Sequence, residues 1–267
     1  PGTKRVMSGR FRPLGSKLLA PVAIVVTFVA LATAYSLITP IFEASDELSH
    51  FPVIDYIADT DRLPVQRPGV EALWHQEGSQ PPLYYLICAL LVRGIDRSDM
   101  ESLIWINPHA KIGIALPADN KNMIVHTEAE DFPWQGTVLA VHLLRFFSVA
   151  LGAVTVALTY PIARLAAPGH PHIPTLAMAL SAFNPMFLFI TGSVNNDNLT
   201  IALTTAALLL ILLILRDGLR ARWVALLSVV LALASLSKIS GLAFYPPTLL
   251  AMLLATLRPQ PSAQQGR

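Results

Sequence analysis

A chain of 267 residues that is 54% apolar and only 13% charged, with a mean hydropathy of +0.55, does not fit an ordinary soluble domain of its size. The net charge of +2 gives no nucleic-acid reading, and the single cysteine, Cys88, excludes an internal disulfide and any CxxC metal or redox motif. The bilayer is the expected solvent. The expected fold is an all-α integral membrane protein of about six transmembrane helices, with a large outer loop carrying interfacial helices.

Residues 1–17 form an expected cytoplasmic N-terminal segment, because Lys4, Arg5, Arg10, Arg12 and Lys17 precede the first apolar run. That run, 18–41, carries no charge. A membrane-spanning helix needs roughly 20 largely apolar residues, whereas a signal-peptide core has about 7–15, so it reads as a retained first span. Residues 42–136 hold fifteen of the seventeen acids but only six of the nineteen basic residues, which places them as a large extracytoplasmic loop. Within this loop, Phe51, Ile54 and Ile57 have helical spacing in an amphipathic stretch from Glu43 to Asp61. The apolar run from Pro81 to Val92 is too short to span. It suits an interfacial or re-entrant helix, or a core helix of a small outer domain. Arg93 to Pro133 reads as irregular loop.

Residues 137–257 are expected to hold the second to sixth spans. Thr137 to Ala163 is interrupted only by Arg145, and a turn rich in Pro and His leads to a third span over Ile173 to Gly192. A polar outer turn at Asn195-Asn196-Asp197-Asn198 precedes the fourth, Leu199 to Leu215. A basic hairpin from Arg216 to Arg222 follows. Trp223 to Leu257 holds one charge, Lys238, and at 35 residues is too long for one helix, so a break is expected near Lys238 to Gly241. Residues 258–267 then form a cytoplasmic tail. Every inner connection is basic, which is consistent with a multi-pass protein of the plasma (inner) membrane whose N-terminus is cytoplasmic.

The chemically loaded positions lie just past the first span, at Glu43, Asp46, Glu47 and His50. A carboxylate there can serve as general base toward a hydroxyl or amine, or hold a cation that neutralises a phosphate. Equally, Ser45 or Asp46 could simply cap a solvated helix start. Asn195, Asn196 and Asp197, the lone Lys238, and Arg145 two turns inside the second span are placed on the same side. Charges at such depth usually face a cavity or a partner. His75, Glu77 and Gln80 add polar groups ahead of the Pro81–Val92 run. Asp119, His126, Glu128, Glu130 and Asp131 could chelate a cation but lack a ligand spacing. No motif requires a cofactor, and a divalent cation is the only one these acids suggest.

The series Phe42-Glu-Ala-Ser-Asp46-Glu47-Leu-Ser-His50, Asp61-Arg-Leu-Pro64, Gln80-Pro-Pro-Leu-Tyr-Tyr85, His142-Leu-Leu-Arg145-Phe-Phe-Ser148, Asn184-Pro, Ser193-Val-Asn-Asn-Asp-Asn-Leu199 and Leu236-Ser-Lys238 resembles the family 39 type membrane glycosyltransferases. These have the GT-C fold and include the protein O-mannosyltransferases. The resemblance implies a polyprenyl-phosphate-sugar donor, a glycan, lipid or protein acceptor on the outer face, and inversion at the anomeric carbon. It assigns catalysis to Asp46 and Glu47, with Asp46 as the base. It makes His50, Gln80, Arg145, Asn195, Asn196, Asp197 and Lys238 substrate-binding candidates, with Lys238 and Arg145 toward the donor phosphate. Family members continue for several more spans, so the chain resembles an N-terminal portion, and Gly94 to Gly136 is an insert that could select the acceptor. A non-catalytic lipid-sugar binder, a transporter-like protein and an inactive truncated transferase are the alternatives.

Overall fold

The computed structural model describes residues 14–257 apart from 45, 68, 70, 117 and 118, without the side chains of 14–17. The basic N-terminal cluster and the tail at 258–267 lie outside the described residues. The regular elements of the described chain are all helices, and its only β pairing is an isolated bridge between Ile106 and Ile124.

The first helix, α1 (Leu14–Ile38), contains the charge-free run and buries only one narrow stripe, including Phe28 and Ala32. Leu18, Leu19, Val22 and Val26 remain exposed, as a lipid-facing surface requires. The loop then supplies α2 (Glu47–Thr60), α3 (Leu83–Val92) and the single-turn α4 (Met100–Leu103). The bundle continues with α5 (Gly136–Ala166), α6 (Ile173–Ala182), α7 (Pro185–Thr191), α8 (Asp197–Asp217), α9 (Ala221–Ser237) and α10 (Tyr245–Leu257).

Helix covers each of the six apolar runs, but the described residues hold four candidate spans, or five if a bent pair counts as one, rather than six. Four helical segments are long and apolar enough to cross a bilayer: Leu18–Ile38, Gly136–Ala166, Asp197–Asp217 and Ile239–Leu257. The third expected span is instead two helices, α6 and α7, bent by 61°. Pro185 cannot donate to the preceding turn, and the Asn184 side chain caps the new helix by accepting from the N–H groups of Met186 and Phe187. The fifth expected span, α9, is 17 residues long. The break after it falls where expected: Lys238 adopts an extended conformation and Ile239–Phe244 forms a short 3-10 turn. Gly241 makes this turn possible, because a Cβ there would lie 2.5 Å from the Ala234 carbonyl oxygen.

Three apolar clusters hold these elements. One joins α1, α5, α6 and α7 through Phe28, Val149, Val156, Met178 and Leu188. A Cβ at Gly152 would lie 2.6 Å from Thr191 and 2.8 Å from Phe28, so its absence lets α5 approach both neighbours. A second cluster joins α8, α9 and α10 through Ile211, Leu227 and Ala251. The third packs α2 and α3 onto the start of α5 through Phe51, Ile54, Tyr84, Val138 and Leu144. The loop is therefore a folded cap, and α3 is its core helix on one face. The other face of α3 shows Leu86, Leu90 and Leu91 to the exterior, which suits a membrane interface.

Two polar ties fix the cap. Buried Arg97 donates to Asp55 at 2.8 Å, to Asp59, and to the Val92 carbonyl at 2.7 Å, locking α2 to the end of α3. Asp99 accepts from the backbone and hydroxyl of Thr137 at 2.9 and 2.6 Å, satisfying the start of α5. The stretch Arg93 to Pro133, expected to be irregular, is so over most of its length but holds the single-turn α4 and a short 3-10 turn at Glu128–Glu130.

Candidate functional site

The acidic pair after the first span divides into two unlike residues. Glu47, the first residue of α2, is fully buried. Its Oε1 accepts from Arg145 Nε at 2.9 Å and from the Val194 N–H at 2.8 Å; its Oε2 accepts from Arg145 Nη2 at 2.5 Å and from the Phe42 N–H at 2.9 Å. One carboxylate thus joins the end of α1, the start of α2, the middle of α5 and the turn before α8.

Arg145 lies nine residues into α5 and is also fully buried. Besides Glu47, it donates to the carbonyls of Ser36 and Thr39 at 2.6 Å and of Pro40 at 2.9 Å. All five guanidinium N–H groups are engaged, which leaves none for a donor phosphate. The expectation that Arg145 binds the donor therefore does not fit this geometry: the residue holds the turn following α1. Glu47, equally enclosed, has no face toward a substrate.

Asp46 is the opposite case. It is exposed, has φ 61° and ψ −1°, and its side chain caps nothing. Its backbone carbonyl starts α2, accepting from the N–H groups of Ser49 and His50, both at 2.9 Å. Asp tolerates the left-handed region better than most residues, but the conformation still costs energy and must be imposed by its surroundings. Here the imposition comes from Glu47, whose four hydrogen bonds fix the neighbouring residue inward and leave the Asp46 carboxylate facing out.

Behind Asp46 lies a buried polar chain. His50 Nδ1 is 2.9 Å from the Tyr85 hydroxyl, which donates to Glu77 Oε2 at 3.3 Å and accepts from Asn196 Nδ2 at 3.4 Å. With its own proton committed to Glu77, the Tyr85 oxygen accepts from His50, so Nδ1 carries the imidazole proton. Burial pushes the His50 pKa below the ordinary histidine range, against the opposing pull of Glu77, Asp46 and Asp197, while Lys238 adds to the lowering. Burial and Glu77 raise the Tyr85 phenol far above its usual value. Both rings are therefore neutral at neutral pH. The charged groups around His50 are thus Asp46, Glu77, Asp197 and Lys238, and of these Asp46, Asp197 and Lys238 reach the surface.

Asp197 opens α8, and Lys238 Nζ donates to its Oδ1 at 2.7 Å. This pair is partly open, with side-chain exposures of 37% and 25%. Lys238 thus keeps ammonium protons for a second anion. Asn195 is spent locally, accepting from the Asp197 N–H at 2.8 Å, whereas the buried Asn196 Oδ1 has no hydrogen-bond partner among the described residues. The structure accordingly brings together His50, Asn195, Asn196, Asp197, Lys238 and the outward-facing Asp46. Gln80 stands three residues beyond Glu77, half-buried at the end of the 3-10 turn His75–Ser79, and its side chain makes no hydrogen bond among the described residues. His75 is exposed.

Tyr85 and Glu77 are the central groups of this chain. The paired tyrosines preceding an apolar run suggested only an interfacial helix. Replacing Tyr85 by Phe leaves Glu77 and the Asn196 amide without their shared hydroxyl, at an expected cost of about 1–3 kcal/mol. Thermal unfolding in detergent would measure it, and an unchanged midpoint would show the chain to be slack.

The other acidic group is paired within itself and with its neighbours. His126 lies between Glu43 at 3.0 Å and Glu130 at 2.9 Å, and Asp119 pairs with Lys111 at 3.0 Å. Glu43 also accepts from the N–H groups of Met123 and Ile124 at 2.9 and 2.8 Å, tying the insert to the mouth of the bundle. Among the described residues no group of three or more His, Cys, Asp or Glu is placed to hold a metal ion.

An all-helical, multi-pass membrane protein with a polar crevice under a folded cap is the class these features define. A family model described as dolichyl-phosphate-mannose-protein mannosyltransferase matches residues 141–263, a little under half of the chain. The match takes in Arg145, Asn195, Asn196, Asp197 and Lys238, and begins after Asp46, Glu47 and Tyr85. No curated protein and no solved structure matches the chain.

Proposed function

We propose that this protein transfers a sugar from a polyprenyl-phosphate donor to an acceptor on the outer face of the plasma membrane, with inversion at the anomeric carbon. The observation that carries the reading is that an exposed Asp46 carboxylate and the half-open Asp197–Lys238 pair both act on the same buried His50. Asp46 takes the proton of the acceptor hydroxyl or amine as its oxygen or nitrogen bonds to C1 of the sugar. The bond between C1 and the phosphate oxygen breaks, and the electron pair leaves with polyprenyl phosphate. Lys238, already oriented by Asp197, stabilises that departing anion. Buried His50 and Asn196 support this site from behind through the Tyr85 hydroxyl, and Gln80 borders the same mouth. Arg145 and Glu47 support the site without touching substrate. The positive-inside pattern of the connecting turns orients the crevice outward.

Membranes containing the protein are expected to consume radiolabelled polyprenyl-phosphate mannose faster than membranes lacking it. Donor bound but not consumed would instead indicate a lipid-sugar binder. Donor neither bound nor consumed would remove the reading.

A further inference from the structure

At the end of the bundle opposite the crevice, a cavity of about 820 Å³ opens between α5 and α8. Pro161, Leu165, Leu209 and Leu213 form its apolar wall, with Arg164 and Arg216 at its rim. Both helices run away from His50, and Leu209 and Arg216 on α8 lie roughly 18 and 28 Å along the helix from Asp197, so this is a separate site. Arg164 is exposed and has no ion pair or hydrogen bond among the described residues. Arg216 is turned by Asp217, which accepts from its Nε at 2.6 Å and its Nη2 at 2.9 Å, leaving Nη1 uncommitted. Arg220 and Arg222 follow in the connecting turn and add to the positive field at this end.

We infer that this cavity is a binding site for an anionic phospholipid, whose headgroup phosphate sits between Arg164 and Arg216 while one acyl chain lies along Leu209 and Leu213. The argument is one of complementarity. A water-filled groove lined by leucine and proline at membrane depth is unfavourable, and an acyl chain removes that surface from water. Guanidinium groups at the membrane boundary favour lipids of net negative charge over zwitterionic ones, since a choline headgroup brings a cation toward Arg164. Arg164, whose side chain is unpaired among the described residues, can hold phosphate oxygens through two donors, and Arg216 adds its free Nη1.

Native mass spectrometry of the full chain, released from vesicles of equal phosphatidylglycerol and phosphatidylcholine content, tests the assignment. The expected result is retention of phosphatidylglycerol in preference to phosphatidylcholine. Arg164→Gln is expected to reduce this retention about fivefold, the loss of one phosphate contact at a membrane surface, without lowering the thermal midpoint, because the side chain is exposed. Leu213→Trp, which fills the groove and leaves both arginines, is also expected to lose the lipid. Equal retention of the two lipids, or unchanged retention in either variant, would overturn the proposal. Displacement of the lipid by inorganic phosphate alone would likewise overturn it, by showing a bare anion site with no seated chain.

Discussion

Replacing Asp46 by Asn is expected to lower sugar transfer by on the order of 10²–10⁴-fold, the usual contribution of a general base, while leaving the folded protein nearly as stable as before. The two halves of this expectation rest on different features of one residue. The carboxylate is exposed, makes no capping bond and is no part of the Glu47–Arg145 knot, so its loss removes no structural contact. Asn shares the tolerance of Asp for φ 61°, so the backbone is served equally well, and the expected stability change lies within about 0.5 kcal/mol. Ala would not be a clean substitute, because a residue without a short polar side chain is disfavoured in that conformation. Donor consumption and thermal unfolding, measured on the same preparation, separate chemistry from folding. Full turnover by D46N with an unchanged midpoint would take Asp46 out of the reaction.

Much of the frame was legible because it depends on local composition. The charge-free run of α1, the single interruption at Arg145 and the break at Lys238 follow from the length of helix a bilayer needs, and each is found in place. The bend between α6 and α7 was missed although Asn184-Pro185 is a turn signal, since apolar residues on both sides let the run pass for one span. The site was legible only as a set of positions. Asp46 and Glu47 are adjacent acids at a helix start, and nothing local says which is enclosed. That is decided by Arg145, 98 residues away, and by the Val194 N–H, 147 residues away. Tyr85 shows the same limit: its hydroxyl gains meaning from Asn196, in the turn before α8 and 111 residues distant.

Removing either partner of the Glu47–Arg145 pair is expected to be the most destabilising change in the chain. Arg145→Met leaves a buried carboxylate facing only two backbone N–H groups, and three carbonyls at the end of α1 lose their donor. Uncompensated burial of one member of such a pair typically costs about 3–5 kcal/mol, a large share of a membrane bundle's margin. Arg145→Lys should recover little, because three ammonium protons on a flexible stem cannot serve two carboxylate oxygens and three carbonyls at once. Replacing both residues by apolar ones removes the stranded charge, yet the Phe42 and Val194 N–H groups then lose their acceptor, so the expected rescue is only partial. Thermal unfolding of the three variants in detergent, alongside donor affinity, distinguishes this role from phosphate binding. A structural Arg145 gives a lower midpoint with R145K well below the parent. A donor-binding Arg145 gives an unchanged midpoint and weaker donor affinity. In the first case activity falls along with stability, since the turn that Glu47 clamps is the one that turns the Asp46 carboxylate outward.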